Sequence, residues 1–129
     1  MITSPRRLLG EVTLTAANIK KENCHIYITP FKHLLPKDIF GGTSKADHAP
    51  RRAILHYGNA QPIESDVPCD KNMFRDRAGA REFLARSGAR AGDIVRFEES
   101  APYTYHISLG PVDNHRDAIR AATRFQLAA

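Results

Sequence analysis

Apolar and polar positions alternate most regularly over Tyr103–Leu109, where Tyr103, Tyr105, Ile107 and Leu109 fall on one face and Thr104, His106 and Ser108 on the other. A period of two marks a strand with one buried face. Just upstream, the run Asp93-Ile94-Val95-Arg96-Phe97-Glu98 predicts a partner strand, joined through the turn Ser100-Ala101-Pro102. Arg52–Tyr57 reads as a further strand, and Gly58-Asn59 after it is a strong hairpin signal, which puts the return strand at Gln61–Asp66. Leu8–Leu14 and His25–Thr29 complete six candidate strands. Their spacing predicts a sandwich or a closed barrel, in which closure removes exposed edges.

Helical patterning is confined to a few segments. Over Ala78–Ser87 the residues Ala80, Phe83, Leu84 and Ser87 share one stripe, Glu82 and Arg86 are spaced to pair, and Gly88 supplies a stop. Phe31–Phe40 holds either a short helix or two turns, interrupted by Pro36 at a first-turn position and ended by Gly41-Gly42. After Gly110-Pro111 the pattern changes, and Val112–Leu127 reads as a terminal helix or a linker. The chain therefore divides into a β domain over residues 1–110 and a C-terminal segment over 111–129.

Composition agrees with a globular domain: 129 residues, 42% hydrophobic and 26% charged. No apolar run is long enough for a membrane span, and the basic start lacks the apolar core of a secretory signal. Two cysteines far apart, Cys24 and Cys69, fit a reducing compartment, so a cytoplasmic location is expected and no membrane partner. A net charge of +5 favours an anionic partner without specifying one.

Two segments are not accounted for as core. Thr15–Cys24 joins two strands and is rich in amide and cationic side chains, and Val67–Arg77 leads from a strand into the helix. Connections of this length on a β scaffold commonly carry function. Each sums to +1, the second from three cations and two anions. A loop that only gripped phosphate would be plainly basic. A mixed set of Asp, Lys, Asn and Arg suits base edges in the major groove, where Arg or Lys donates to guanine, Asn pairs with adenine and Asp accepts from cytosine. The bland alternative is a solvated turn at Lys20-Lys21 and a local ion cluster around Asp76.

Taken in order, these pieces resemble a known family. A strand, a polar arm and the run Ile26-Tyr27-Ile28-Thr29-Pro30-Phe31-Lys32-His33-Leu34-Leu35-Pro36-Lys37 precede a hairpin, a second arm and a helix with Phe83. The helix leads into Arg90-Ala91-Gly92-Asp93-Ile94-Val95-Arg96-Phe97. This order, over about residues 8 to 109, resembles the B3 DNA-binding domain of plant transcription factors and of the recognition domains of some bacterial restriction endonucleases. The resemblance implies a mainly β fold, a seven-stranded open pseudobarrel with two short helices, whose N-arm and C-arm grip opposite sides of the major groove. Carried over, the N-arm falls on about Thr15 to His25 and the C-arm on about Ser65 to Arg77. Phe74-Arg75-Asp76-Arg77 is similar to the bacterial branch, and the absence of Trp departs from the plant pattern. Asp93 is expected to close the bend before its strand and not to catalyse.

Chemistry other than binding finds little in the sequence. No Asp or Glu has Lys two positions later and no His has Lys two positions later, so neither common nuclease signature occurs. Cys24-His25 and a distant Cys69 do not have zinc-site spacing, and no phosphate loop or nucleophile elbow is present. His56 and His106 are expected at the surface, opposite the apolar stripe. Stacking on RNA would need open aromatics, whereas Tyr103 and Tyr105 share a face with Ile107 and Leu109.

The expectation is a sequence-specific binder of double-stranded DNA, acting as a monomer without metal or cofactor. It would serve as the recognition or effector module of a restriction endonuclease whose nuclease domain lies elsewhere. Lys20, Lys21, Arg51, Arg52 and Arg81 are candidates for phosphate contacts. Asn18, Asn23, His25, Asp70, Lys71, Asn72, Arg75 and Arg77 are candidates for base edges, with Thr15, Ser65, Asp66 and Asp76 as further arm residues. The alternatives are a small basic β-barrel interaction or regulatory protein, a small-molecule binder, and a complete small nuclease.

Overall fold

The computed structural model describes residues 5–20, 25–44 and 46–110. The terminal helix or linker expected over Val112–Leu127 lies outside the described residues. Within them the fold is mainly β. The strands are β1 (Arg7–Thr13), β2 (Phe40–Gly41), β3 (Ala53–Tyr57), β4 (Ile63–Ser65), β5 (Val67–Pro68), β6 (Ile94–Ala101) and β7 (Thr104–Leu109), with one helix, α1 (Ala78–Arg86).

Five strands form one mixed sheet in the order β1-β6-β7-β3-β4, and β2 and β5 form a separate parallel pair. The two sheets do not join into one closed ladder, so the closed barrel expected from strand spacing is not what forms. The centre is the antiparallel β6–β7 hairpin, flanked by antiparallel β1 and by parallel β3. Tyr105 and Ile107 on β7, Val95 and Phe97 on β6 and Leu55 on β3 all point inward, as period two requires. Phe31 covers this face from outside the sheet, its ring 4.5 Å from that of Phe97.

Several expected elements form with adjusted edges. The β6–β7 reversal lies at Pro102-Tyr103, because β6 continues through Ala101, and Tyr103 takes φ 65° to make the turn. Glu82 and Arg86 pair at 3.6 Å on α1, and Gly88, at φ 63°, ends the helix in the left-handed conformation that a Cβ would penalise. Asp93 accepts the Arg90 backbone N–H at 2.8 Å, and its own carbonyl takes the Leu14 N–H, so this bend fixes the end of β1.

Two expectations are corrected. His25–Thr29 is not a strand: Ile26 and Ile28 are buried and Tyr27 is exposed, but the segment has no ladder. Pro30 lacks the N–H a strand would continue with and fits the first turn of a helix, so the chain passes into a 3₁₀ turn over Thr29–Leu34. A second 3₁₀ turn covers Lys37–Ile39 after Pro36, so Phe31–Phe40 forms two turns. Gly41, expected to end a helix, instead pairs in β2.

Candidate nucleic-acid interface

The first arm starts where β1 leaves the sheet. Asn18 turns back on Thr15: its Oδ1 accepts the Thr15 N–H at 2.8 Å, while Thr15 Oγ1 accepts the Asn18 N–H at 3.3 Å. The Asn18 carbonyl then takes the His25 N–H, which draws the two ends of the arm together. Asn18 is 4% exposed, so its amide shapes the arm and is not presented to a ligand. Lys20 is exposed, and Lys21 and Asn23 lie outside the described residues.

The second arm is fastened by a buried ion pair. Asp66, 1% exposed, receives Arg75 Nε at 2.5 Å and Arg75 Nη2 at 3.0 Å, and its Oδ2 also accepts the Ala49 N–H at 2.8 Å. Burial alone would raise the Asp66 carboxyl. The Arg75 hydrogen bond, the Ala49 N–H and the Arg75 charge outweigh it and hold the group below the ordinary carboxylate range. Arg75 spends its remaining donors on the carbonyls of Gly42, at 2.7 Å, and Ser44, at 3.0 Å. A Cβ on Gly41 would meet Asp66 Oδ2 and the backbone of Asp47 and Ala49, so glycine is what lets this knot close. Arg75, expected at a base edge, is therefore a scaffold residue with every donor group occupied.

Three more of the expected arm residues are internal. Ser65 Oγ donates to the Asp66 carbonyl and accepts the Asp76 N–H. Asp76 Oδ2 accepts the Gly79 N–H at 3.0 Å, capping the start of α1. Asp66 is the ion-pair partner just described. What the arm presents outward is its tip and its end: Asp70, Lys71, Asn72 and Arg77 are exposed.

Lys32, which is not among the expected arm residues, staples that tip. Its Nζ donates to the Lys71 carbonyl at 2.8 Å and to Asn72 Oδ1 at 3.1 Å, and the Ile28 N–H meets the Asn72 carbonyl at 2.8 Å. The two arms also touch directly, through Arg77 Nη2 and His25 Nε2 at 3.3 Å. Between them opens a cleft of about 340 Å³ lined by His25, Thr43, Lys71, Met73, Arg75 and Arg77 among others, and among the described residues no acidic one lines it. Burial, then the charges of Arg77 and Lys71, lower the basicity of His25 below that of a free imidazole. A second cleft of similar size lies on the other side of Arg75 and Arg77, where His48 and Arg52 face Glu64 and Asp76. Thr43 and His48, both from the β2–β3 loop, enter the site only because Arg75 and Asp66 hold that loop against the arm.

The expected phosphate contacts separate by place. Arg52 borders the second cleft, while Arg51 lies with its guanidinium 4.8 Å over the Tyr103 ring, and the Tyr103 hydroxyl donates to Asp38 Oδ2 at 2.8 Å. Arg81 is exposed on α1, one turn beyond Arg77. On the outer face of the sheet His56 and His106 are half-buried and stack, ring centroids 4.7 Å apart and 10° from parallel. Burial, then Arg6 and His56, lower His106, against a smaller upward push from Glu98.

Among the described residues no three His, Cys, Asp or Glu side chains group as metal ligands, and Cys69 is an exposed free thiol. Among them, too, no helix is long and apolar enough to cross a membrane. No family model matches the chain, and no curated protein or solved structure matches it.

Proposed function

We propose that this protein is a sequence-specific double-stranded DNA-binding domain of the B3-like pseudobarrel type. In this reading it serves as the recognition or effector module of a bacterial restriction endonuclease, works as a monomer, and leaves cleavage to a separate catalytic domain. The observation that carries the reading is the cleft between the two arms, which no acidic side chain among the described residues lines and to which the first arm contributes His25 and the second Lys71 and Arg77. Loops of this length with converging cations, mounted on a β scaffold, suit a polyanion that must be gripped from two sides. The seven short strands in two sheets, with a parallel β2–β5 pair beside the main sheet, are compatible with the pseudobarrel.

Base reading in this proposal falls to the tip of the second arm, Asp70, Lys71 and Asn72, with Lys32 holding the tip at a fixed height. Arg52 and Arg81 flank Arg77 and set the register on the backbone. Arg75 and Asp66 do not touch DNA; they shape the arm that does.

Selection from a random duplex pool, followed by sequencing of the bound fraction, tests this. A short enriched motif that loses definition at one or two positions in Asn72→Ala or Lys71→Ala supports direct readout, since a lost base contact costs about 1–3 kcal/mol at its own position. Retention without enrichment reduces the function to charge-driven binding. No retention at low salt overturns it in favour of a small basic β protein with a different partner.

A further inference from the structure

The contact between Arg77 and His25 has an unusual chemical character. For Nε2 of His25 to accept from the Arg77 guanidinium, the imidazole must be neutral with its proton on Nδ1. That Nδ1 is enclosed and finds no partner among the described residues. Arg77, for its part, is exposed and has no carboxylate within ion-pair distance among the described residues, although the arm's other arginine is tied to Asp66 and to two backbone carbonyls. A neutral nitrogen is a weak acceptor for a guanidinium, and a phosphate oxygen is a much stronger one.

We propose that His25 and Arg77 form a proton-coupled phosphate clamp, in which a DNA phosphodiester displaces His25 from Arg77 and His25 takes up a proton from solvent to become the second donor. The inference rests on the DNA-binding reading above and assigns to the backbone two residues that the sequence placed at base edges. Both groups already line the same cleft, and among the described residues no acidic one lines it with them. Burial favours the neutral ring, and the two neighbouring cations add to this while the cleft is empty. Arg77 and Lys71 face His25 from the second arm, and both are positive. From its own segment Tyr27 packs beside it, the ring centroids 5.9 Å apart. The small recess beside His25 is bordered by Tyr57, whose buried phenol is pushed up by burial and by Asp76, and by Asp76 itself, which is engaged in capping α1. A phosphate entering the cleft neutralises the two cations and sets a negative charge beside the ring, which favours the imidazolium against burial. A base edge would bring acceptors but no charge, so proton uptake separates the two kinds of contact.

The test is the affinity of the full chain for its selected duplex from about pH 5 to about pH 8, with the ring of His25 followed by NMR in the free and bound states. Binding is expected to tighten by up to about tenfold per unit fall in pH over the window between the free and bound titration points. The His25 titration should move upward on binding. His25→Gln, which keeps an acceptor for Arg77 but cannot titrate, should flatten the profile, and the exposed His33→Gln should leave it intact. A neutral methylphosphonate at the contacted phosphate should flatten it as well. Binding that occurs with no upward movement of the His25 titration overturns the clamp alone. Absence of binding at every pH overturns both the clamp and the DNA reading.

Discussion

Arg75 and Arg77 stand two positions apart with the same guanidinium, one tied into a buried knot and the other turned to a cleft. Arg75→Ala leaves the Asp66 carboxylate buried without its partner and frees the loop around Gly42 and Ser44. Denaturant unfolding should report a loss of about 3–5 kcal/mol, as for other broken buried pairs. Arg77→Ala should stay within about 0.5 kcal/mol in stability while weakening DNA, so the two variants separate scaffold from contact. The pH dependence of the free protein follows from His25 and His106, both less basic folded than unfolded. As pH falls below about 6.5 the unfolded chain binds protons first, so stability is full above that value and declines below it. Chemical denaturation at several pH values should show this decline, and His25→Gln with His106→Gln should reduce it. The sequence revealed residue types at this scale but not their partners. Asn18 and Asp76 carry the right groups for base edges, and their local backbone bonds are three-residue contacts that a motif does not distinguish from a free side chain.

At the scale of elements, period two located five of the seven strands and period 3.6 located α1, because these segments bury one face against a common core. The two missed strands, Phe40–Gly41 and Val67–Pro68, are too short to show any period. His25–Thr29 alternates like a strand, yet it lies where its neighbour is an arm and not a ladder, so the pattern records burial without sheet pairing. Gly88 is the clearest local stop. Gly88→Ala would force a Cβ into φ 63° and should cost about 1 kcal/mol in thermal or denaturant unfolding, with DNA affinity unaffected. A substitution there that proved neutral would mean that α1 ends by some other device.

For the whole molecule, a modest charge of +5 becomes informative only when the fold gathers part of it at one place. If the arms hold phosphate as proposed, the logarithm of the binding constant should fall linearly with the logarithm of salt concentration. Each cation at the backbone contributes about 0.9 to the slope, so Arg77→Ala should reduce it by about 1 and an uninvolved surface lysine should not. Equal slopes for the two variants would place the phosphate contacts elsewhere. The order of elements made a β scaffold with two arms legible in advance. The knot that joins Asp66, Arg75, Ala49 and the β2–β3 loop was not legible, since its members are spread over more than thirty residues with no shared period.

The strand order has a consequence in time. Among the described strands β1 pairs only with β6, and β6 follows it by some eighty residues, so β1 waits for this partner until the β6–β7 hairpin leaves the ribosome. Pairings of such long separation form slowly, and the cost of closing the intervening chain comes before any reward from contact. β1 would therefore stay without this partner while the intervening residues are made, a period in which chaperone capture or misassociation competes with folding. The first arm hangs from β1 and so waits for that hairpin, whereas the Asp66–Arg75 knot that fastens the second arm joins residues that all emerge before β6.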